Sequence, residues 1–201
     1  MAEKRITEKV WWGYSDDNLF KFAKEKILKL SEEEAPFNFT MLTVDTHFQD
    51  GYKCEDCPNT WDEQYKNVIS CSSQKVGEFI NWIKTQDFYE NTTIVISGDH
   101  LSMQTNFFEL SEGNEYDKKV VNLIINPAIE ATNTSRVYST FDLYPTTLAA
   151  MGATIEGNKL GLGVNLFSEE PTLIEKYGLE YVNKELYKVS KFYDNNILVE
   201  Q

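Results

Sequence analysis

Apolar positions along the chain follow two periods, and these divide it into helices and strands. Leu19, Phe20, Ala23, Ile27 and Leu30 recur at steps of three and four, the repeat of one helical face. Ser15 stands before them as an N-cap, and Asp16 and Asp17 place negative charge in the first turn. This helix is predicted to end near Ser31, ahead of an acidic loop and Pro36. Trp61, Tyr65, Val68, Ile69, Ser72, Val76, Phe79, Ile80 and Ile83 mark a second, longer helix running to about Lys84, with Thr60 and Glu63 as its capping box. Between the helices, Phe37 to Val44 reads as a strand. Ile94, Val95 and Ile96 form a β-branched run without a polar break, which suits a strand covered on both faces of a parallel sheet. The long helix would then carry the crossover of a β-α-β unit, whose strands must be parallel. Lys118 to Asn126 is a third apolar strand, ended by Pro127.

The second half is read in the same way. Asp142 caps a helix that accepts Pro145 in its first turn and stops at Gly152. Gly157 to Gly163 is a loop, and no Gly-Lys-Ser/Thr follows to make it a phosphate loop. Leu179, Val182, Leu186, Val189 and Tyr193 mark a last amphipathic helix over 178–196. The fold class expected is α/β, a mainly parallel sheet flanked by helices. It forms a single domain over 1–201 with its core in 11–168. Leu101 to Asp117 lacks periodicity and is long enough for a functional loop.

Charge and cysteine usage narrow the partners. The 201 residues carry a formal charge of −13, a surface that repels phosphate backbones and argues against nucleic acid. No run of about 18 apolar residues occurs, so no membrane segment is expected in this chain. The opening residues, Met1-Ala2-Glu3-Lys4-Arg5, are not read as a signal peptide. Cys54, Cys57 and Cys71 are the three cysteines. A Cys-x-x-Cys with a third cysteine can be a zinc site or a redox pair. The only histidines, His47 and His100, are not near enough in sequence to complete a zinc set. The preferred reading is a local disulfide in an oxidising compartment, with one thiol left over or paired outside the chain; the spacing does not choose the partners.

The chemistry gathers at strand ends. Ser97 and Gly98 close the Ile94 strand, and Asp99 and His100 follow it, at the carboxyl end where open α/β sheets bind ligands. A carboxylate beside an imidazole is a usable ligand pair for Zn²⁺ or Mn²⁺; an Asp cap beside a hydrogen-bonded histidine is the plainer alternative. His47 follows the Phe37–Val44 segment within the polar loop Asp45 to Tyr52. Alone it reads as a surface histidine, but it is the second histidine placed after a strand.

Several of these pieces match a family. Trp12-Gly13 with Asp16 to Phe20, Val44-Asp45-Thr46-His47, Ser97-Gly98-Asp99-His100-Leu101, Ser139 to Gly152 and Gly161-Leu162-Gly163 resemble, in order and spacing, the catalytic domain of bacterial phosphoglycerol transferases. These include lipoteichoic acid synthases and belong to the sulfatase and alkaline phosphatase superfamily. The resemblance implies that Asp99 and His100 are two ligands of a divalent metal, Mn²⁺ with Mg²⁺ or Zn²⁺ as alternatives. It implies that His47 contacts the transferred phosphate. Asp142 is kept as a cap. The family's nucleophilic threonine has no counterpart in a matching context, so no residue here is assigned as catalytic. The chain is read as the carboxyl-terminal portion of the catalytic domain, inactive and at most a weak metal binder by itself. The parent would be anchored at the extracytoplasmic face of the bacterial cell membrane. It would move phosphoglycerol from phosphatidylglycerol to a glycan or teichoic-type acceptor. A related phosphoethanolamine transferase, phosphodiesterase or sulfatase is the alternative. A non-catalytic glycan- or protein-binding domain is another.

Overall fold

The computed structural model describes residues 9–11, 13–33, 35–105, 107 and 118–198. Contacts group the chain into two compact units, one of 1–92 with 97–121 and the other of 93–96 with 122–201. No described helix is long and apolar enough to cross a membrane.

The first unit opens with a short antiparallel pair, β1 (Lys9–Val10) and β2 (Gly13–Tyr14), and continues into α1 (Asp16–Ser31). Ser15 is the N-cap, yet its hydroxyl accepts from Asn18 Nδ2 rather than from a helix N–H. The second helix, α2, spans Gln64–Lys84 and ends where its periodicity predicts. Its start is different. Buried Asn67 accepts at Oδ1 from the N–H groups of both Thr60 and Trp61, each at 2.9 Å, and its amide donates to the carbonyls of Trp61 and Glu63. One side chain inside the helix thus satisfies the backbone ahead of it, and the expected Thr60–Glu63 capping box gives way to it. Phe20 of α1 and Phe79 of α2 pack with ring centroids 5.0 Å apart, beside Trp82.

Phe37 to Val44 is not a strand. The segment has no ladder, and Leu42 stays 68% exposed. The backbone N–H groups at its end, on Val44 and Asp45, donate to the Asp16 carboxylate instead of to a neighbouring strand. The expected parallel β-α-β unit is therefore absent among the described residues. Strand β3 (Ile94–Ser97) pairs with β4 (Asn122–Ile125). Gly98 N–H donates to the Val121 carbonyl at one end, and Thr93 Oγ1 donates to the Asn126 carbonyl at the other. Start meets end, as in an antiparallel pair. Ile94 and Ile96 are half-buried whereas Val95 is exposed, so only one face of β3 is covered.

In the second unit, α3 (Leu143–Ala150) follows a single 3₁₀ turn, and Gly152 stops it as expected. Asp142, fully buried, accepts from Ser139 N–H and from Val164 N–H. The expected cap is therefore displaced: Ser139 caps the 3₁₀ turn with Asp142 as its box partner, and the Asp142 side chain makes no cap bond to α3 but holds the backbone at Val164. The Gly-rich segment forms a two-stranded hairpin, β5 (Lys159–Leu160) and β6 (Gly163–Val164). The predicted terminal helix is broken into α5 (Leu179–Leu186) and α6 (Lys191–Asn196), preceded by α4 (Leu173–Tyr177). Ser190 caps α6 by accepting from Tyr193 N–H, which restarts the helix where the apolar period alone reads straight through.

Arg136 ties this unit together. Its guanidinium makes a two-pronged pair with Glu175 and donates to the carbonyls of Leu166, Ser168 and Glu170. The guanidinium holds the Glu175 carboxyl down at about 2. That contribution to stability is present above the ordinary glutamate range and is lost as pH falls toward the folded value. Replacing Arg136 with Met leaves those acceptors unpaired, and urea unfolding followed by circular dichroism is expected to show a loss of about 3 kcal/mol.

Candidate functional site

The Asp99–His100 turn lies in the first unit, directly after β3. Gly98 makes the turn possible at close quarters, since a Cβ there would meet Val120 Cβ at 3.3 Å. Both site side chains face solvent, with His100 54% and Asp99 68% exposed. His100 Nδ1 lies 2.8 Å from the Leu101 carbonyl oxygen. A carbonyl has no proton to give, so Nδ1 carries the hydrogen, and in the neutral ring the Nε2 lone pair is free. That Nε2 is 3.6 Å from Asp99 Oδ2, too far for a good hydrogen bond. Two ligands of one ion in tetrahedral array, with bonds of about 2.1 Å, stand about 3.4 Å apart. The donor atoms, their spacing and the anchored tautomer fit a shared divalent cation. They supply two ligands of a set that needs more.

His47 sits in a tight turn, its N–H donating to the Val44 carbonyl at 2.9 Å, with its ring 5.5 Å from that of Trp11. The turn is built by carboxylates. Asp16 Oδ1 accepts from Val44 N–H at 2.7 Å and Asp45 N–H at 3.3 Å, while Asp45 Oδ1 accepts from Asp16 N–H at 3.1 Å. Tyr52 N–H then closes the loop on the Asp45 carbonyl at 2.7 Å. Gly51 is required there: its φ is +66°, and a Cβ would strike both that carbonyl and Val68.

The His47 loop and the segment after His100 are joined. Asp50 N–H donates to Gln104 Oε1, and Gln104 Nε2 donates to Asp50 Oδ1 at 2.6 Å. Ser102 is held in turn by the Tyr65 hydroxyl. Asp50 and Gln104 are the residues the sequence reading missed. They lie 54 positions apart in polar loops, and no periodicity marks either. The loop expected over Leu101 to Asp117 lies largely outside the described residues.

The three cysteines also lie in this unit, all buried. Cys57 and Cys71 are disulfide-bonded and Cys54 is free. The three sulfurs are close enough together to suggest a metal centre, but two are already spent on each other and only Cys54 could offer a thiolate.

Burial raises both carboxyls of the turn, and the Lys75 ammonium opposes both rises. Desolvation, followed by the neighbouring Asp16 charge, pushes Asp45 up to about 6; desolvation also raises Asp16. Lys75 reaches Asp17 at 2.9 Å and Asp45 at 3.8 Å. Burial pulls its ammonium down, but contacts with Cys54 and Asp17 outweigh this and hold it at about 12.

The sulfatase family profile matches residues 2–153. Phosphoglycerol transferase I of Citrobacter koseri is 32% identical over 163 residues, covering 76% of this chain and 20% of that protein. The protein of the same name from Salmonella choleraesuis is 32% identical over 170 residues, 78% of this chain and 21% of its own length. The one from Escherichia coli is 32% identical over 165 residues, 76% and 20%. The chain thus spans about a fifth of the length of the curated relatives it matches. No solved structure matches it.

A pH effect follows from the turn. A folded carboxyl titrating near 6 must ionise while buried, so its favourable contribution is full below the unfolded value of 3.8 and is lost as pH rises through about 6. Lowering the pH from 7 to 5 is expected to raise the melting temperature, by the equivalent of roughly 1–2 kcal/mol. Asp45→Asn should flatten that rise; an equal rise in the variant would show that Asp45 is not its source.

Proposed function

Because this chain belongs to the sulfatase family and is phosphoglycerol transferase-like, we propose that it forms the metal-holding and phosphate-contacting part of a phosphoglycerol transferase catalytic domain. The donor is the phosphatidylglycerol headgroup, and the acceptor is a hydroxyl of a glycan or a polyol phosphate. The reaction runs at the extracytoplasmic face of the cell membrane, with a threonine nucleophile that lies outside these 201 residues.

One observation carries the reading: His100 Nε2, its lone pair exposed by the Nδ1 bond to Leu101, stands 3.6 Å from Asp99 Oδ2 at the mouth of β3. Asp99 and His100 would hold the divalent ion, Mn²⁺ by the family likeness. When bound, such an ion supplies Lewis-acid stabilisation of charge on a transferred phosphoryl group. The residues around it do the positioning. The Leu101 carbonyl keeps the His100 proton on Nδ1 and the ring in one orientation, as outer partners of metal-binding histidines do. His47 is presented by the Asp16–Asp45 turn, and its ring N–H would donate to a phosphoryl oxygen, a contact that gains strength as charge develops there. The Asp50–Gln104 pair keeps the two loops in register, so that both histidines can serve one substrate.

The test is transfer of labelled glycerol phosphate from phosphatidylglycerol by the full-length gene product. Asp99→Asn and His100→Ala are each expected to lower the rate by at least about 10²-fold, and His47→Ala by roughly tenfold or more. Rates within twofold of the parent in all three variants would refute the proposal.

A further inference from the structure

The three buried cysteines lie together in the first unit, with a chemistry that the histidine turns do not use. A turn brings the Cys-x-x-Cys together, with Cys57 N–H donating to the Cys54 carbonyl at 3.2 Å. Cys54 Sγ consequently lies 2.8 Å from Cys57 Sγ and 4.0 Å from Cys71 Sγ, against the existing Cys57–Cys71 bond. Lys75, one helical turn beyond Cys71 on α2, places Nζ 3.0 Å from Cys54 Sγ. Its other partners, Asp17 and Asp45, hold the ammonium there. A free thiol in contact with a disulfide, with an ammonium beside it, is set up for exchange, in which the thiolate is the attacking species.

We propose that Cys54 is the exchange thiol of an internal three-cysteine relay. Its thiolate attacks Cys57 Sγ, the nearer sulfur; the Cys57–Cys71 bond breaks, a Cys54–Cys57 bond forms, and the electron pair leaves on Cys71, which takes up the proton that Cys54 gave. The count of disulfides and thiols is unchanged, so no oxidant or reductant enters. Displacement runs in line with the breaking bond. An in-line approach from 2.8 Å, with a disulfide bond of about 2.05 Å, would separate the outer sulfurs by about 4.9 Å. The 4.0 Å contact therefore requires a turn about the Cys54 side chain before the step. The consequence is mechanical. The present bond ties the 51–57 segment to α2, and exchange closes the link within the Cys-x-x-Cys and releases α2. This segment begins at Gly51 and Tyr52, which complete the His47 loop, so the relay bears on the loop that carries the site.

The experiment uses the whole chain, incubated at pH 8, quenched in acid, labelled with a thiol alkylating agent and mapped as non-reduced peptides. Expected is a labelled Cys71 together with a Cys54–Cys57 cross-link in about a tenth or more of the molecules, the share of an isomer within about 1.4 kcal/mol of the other. A Cys71→Ser variant, equilibrated with reduced and oxidised glutathione, should then hold the Cys54–Cys57 bond and titrate with no free thiol. Label confined to Cys54 after a day at pH 8, with two free thiols in Cys71→Ser, would overturn the relay. Circular dichroism of the variant verifies that it is folded.

Discussion

Everything around His47 depends on two buried aspartates, each of whose carboxylates accepts the other's backbone N–H. Asp16, the first residue of α1, takes the backbone N–H groups of Val44 and Asp45, and Asp45 takes the N–H of Asp16. A helix start and a turn nearly thirty residues later in the chain satisfy each other's unpaired donors. The helix N-terminus favours the negative charge, while burial opposes it, and the raised carboxyls record that opposition. Lys75 offsets part of it from the neighbouring helix. The arrangement replaces a sheet neighbour: backbone groups that a ladder would satisfy are satisfied by a side chain. The turn that carries His47 is closed in this way through its own backbone.

Much of this was legible where the signal was local. The extent of α1 and the end of α2 followed from apolar spacing, since each buries one stripe against the other through Phe20 and Phe79. Gly152 ended α3 because a positive φ is cheap only for glycine. The failures share a cause. Asn67 displaced the capping box, Ser190 restarted the last helix, and Asp16 took the donors of the supposed strand at 37–44. In each case a polar side chain redirected backbone hydrogen bonds, and apolar periodicity carries no record of that.

The candidate site divides along the same line. Asp99 and His100 are adjacent in sequence and follow an apolar run, so they could be read directly. The Asp50–Gln104 bridge, which joins the two histidine loops, could not, because it links two polar loops across 54 positions. The cysteines were visible as a cluster, but three thiols allow three pairings. The choice of Cys57 with Cys71 rests on where α2 places its first turns.

Asp99 and His100 act as a pair of donors toward one cation in the proposed function. The most direct measurement is nuclear magnetic resonance of the isotope-labelled chain during addition of substoichiometric Mn²⁺, whose paramagnetism broadens nearby signals even when binding is weak. Signals of Gly98 to Leu101 are expected to broaden first, and His100→Ala to abolish the effect. Broadening that begins at other acidic residues and is unchanged in His100→Ala would contradict that pairing.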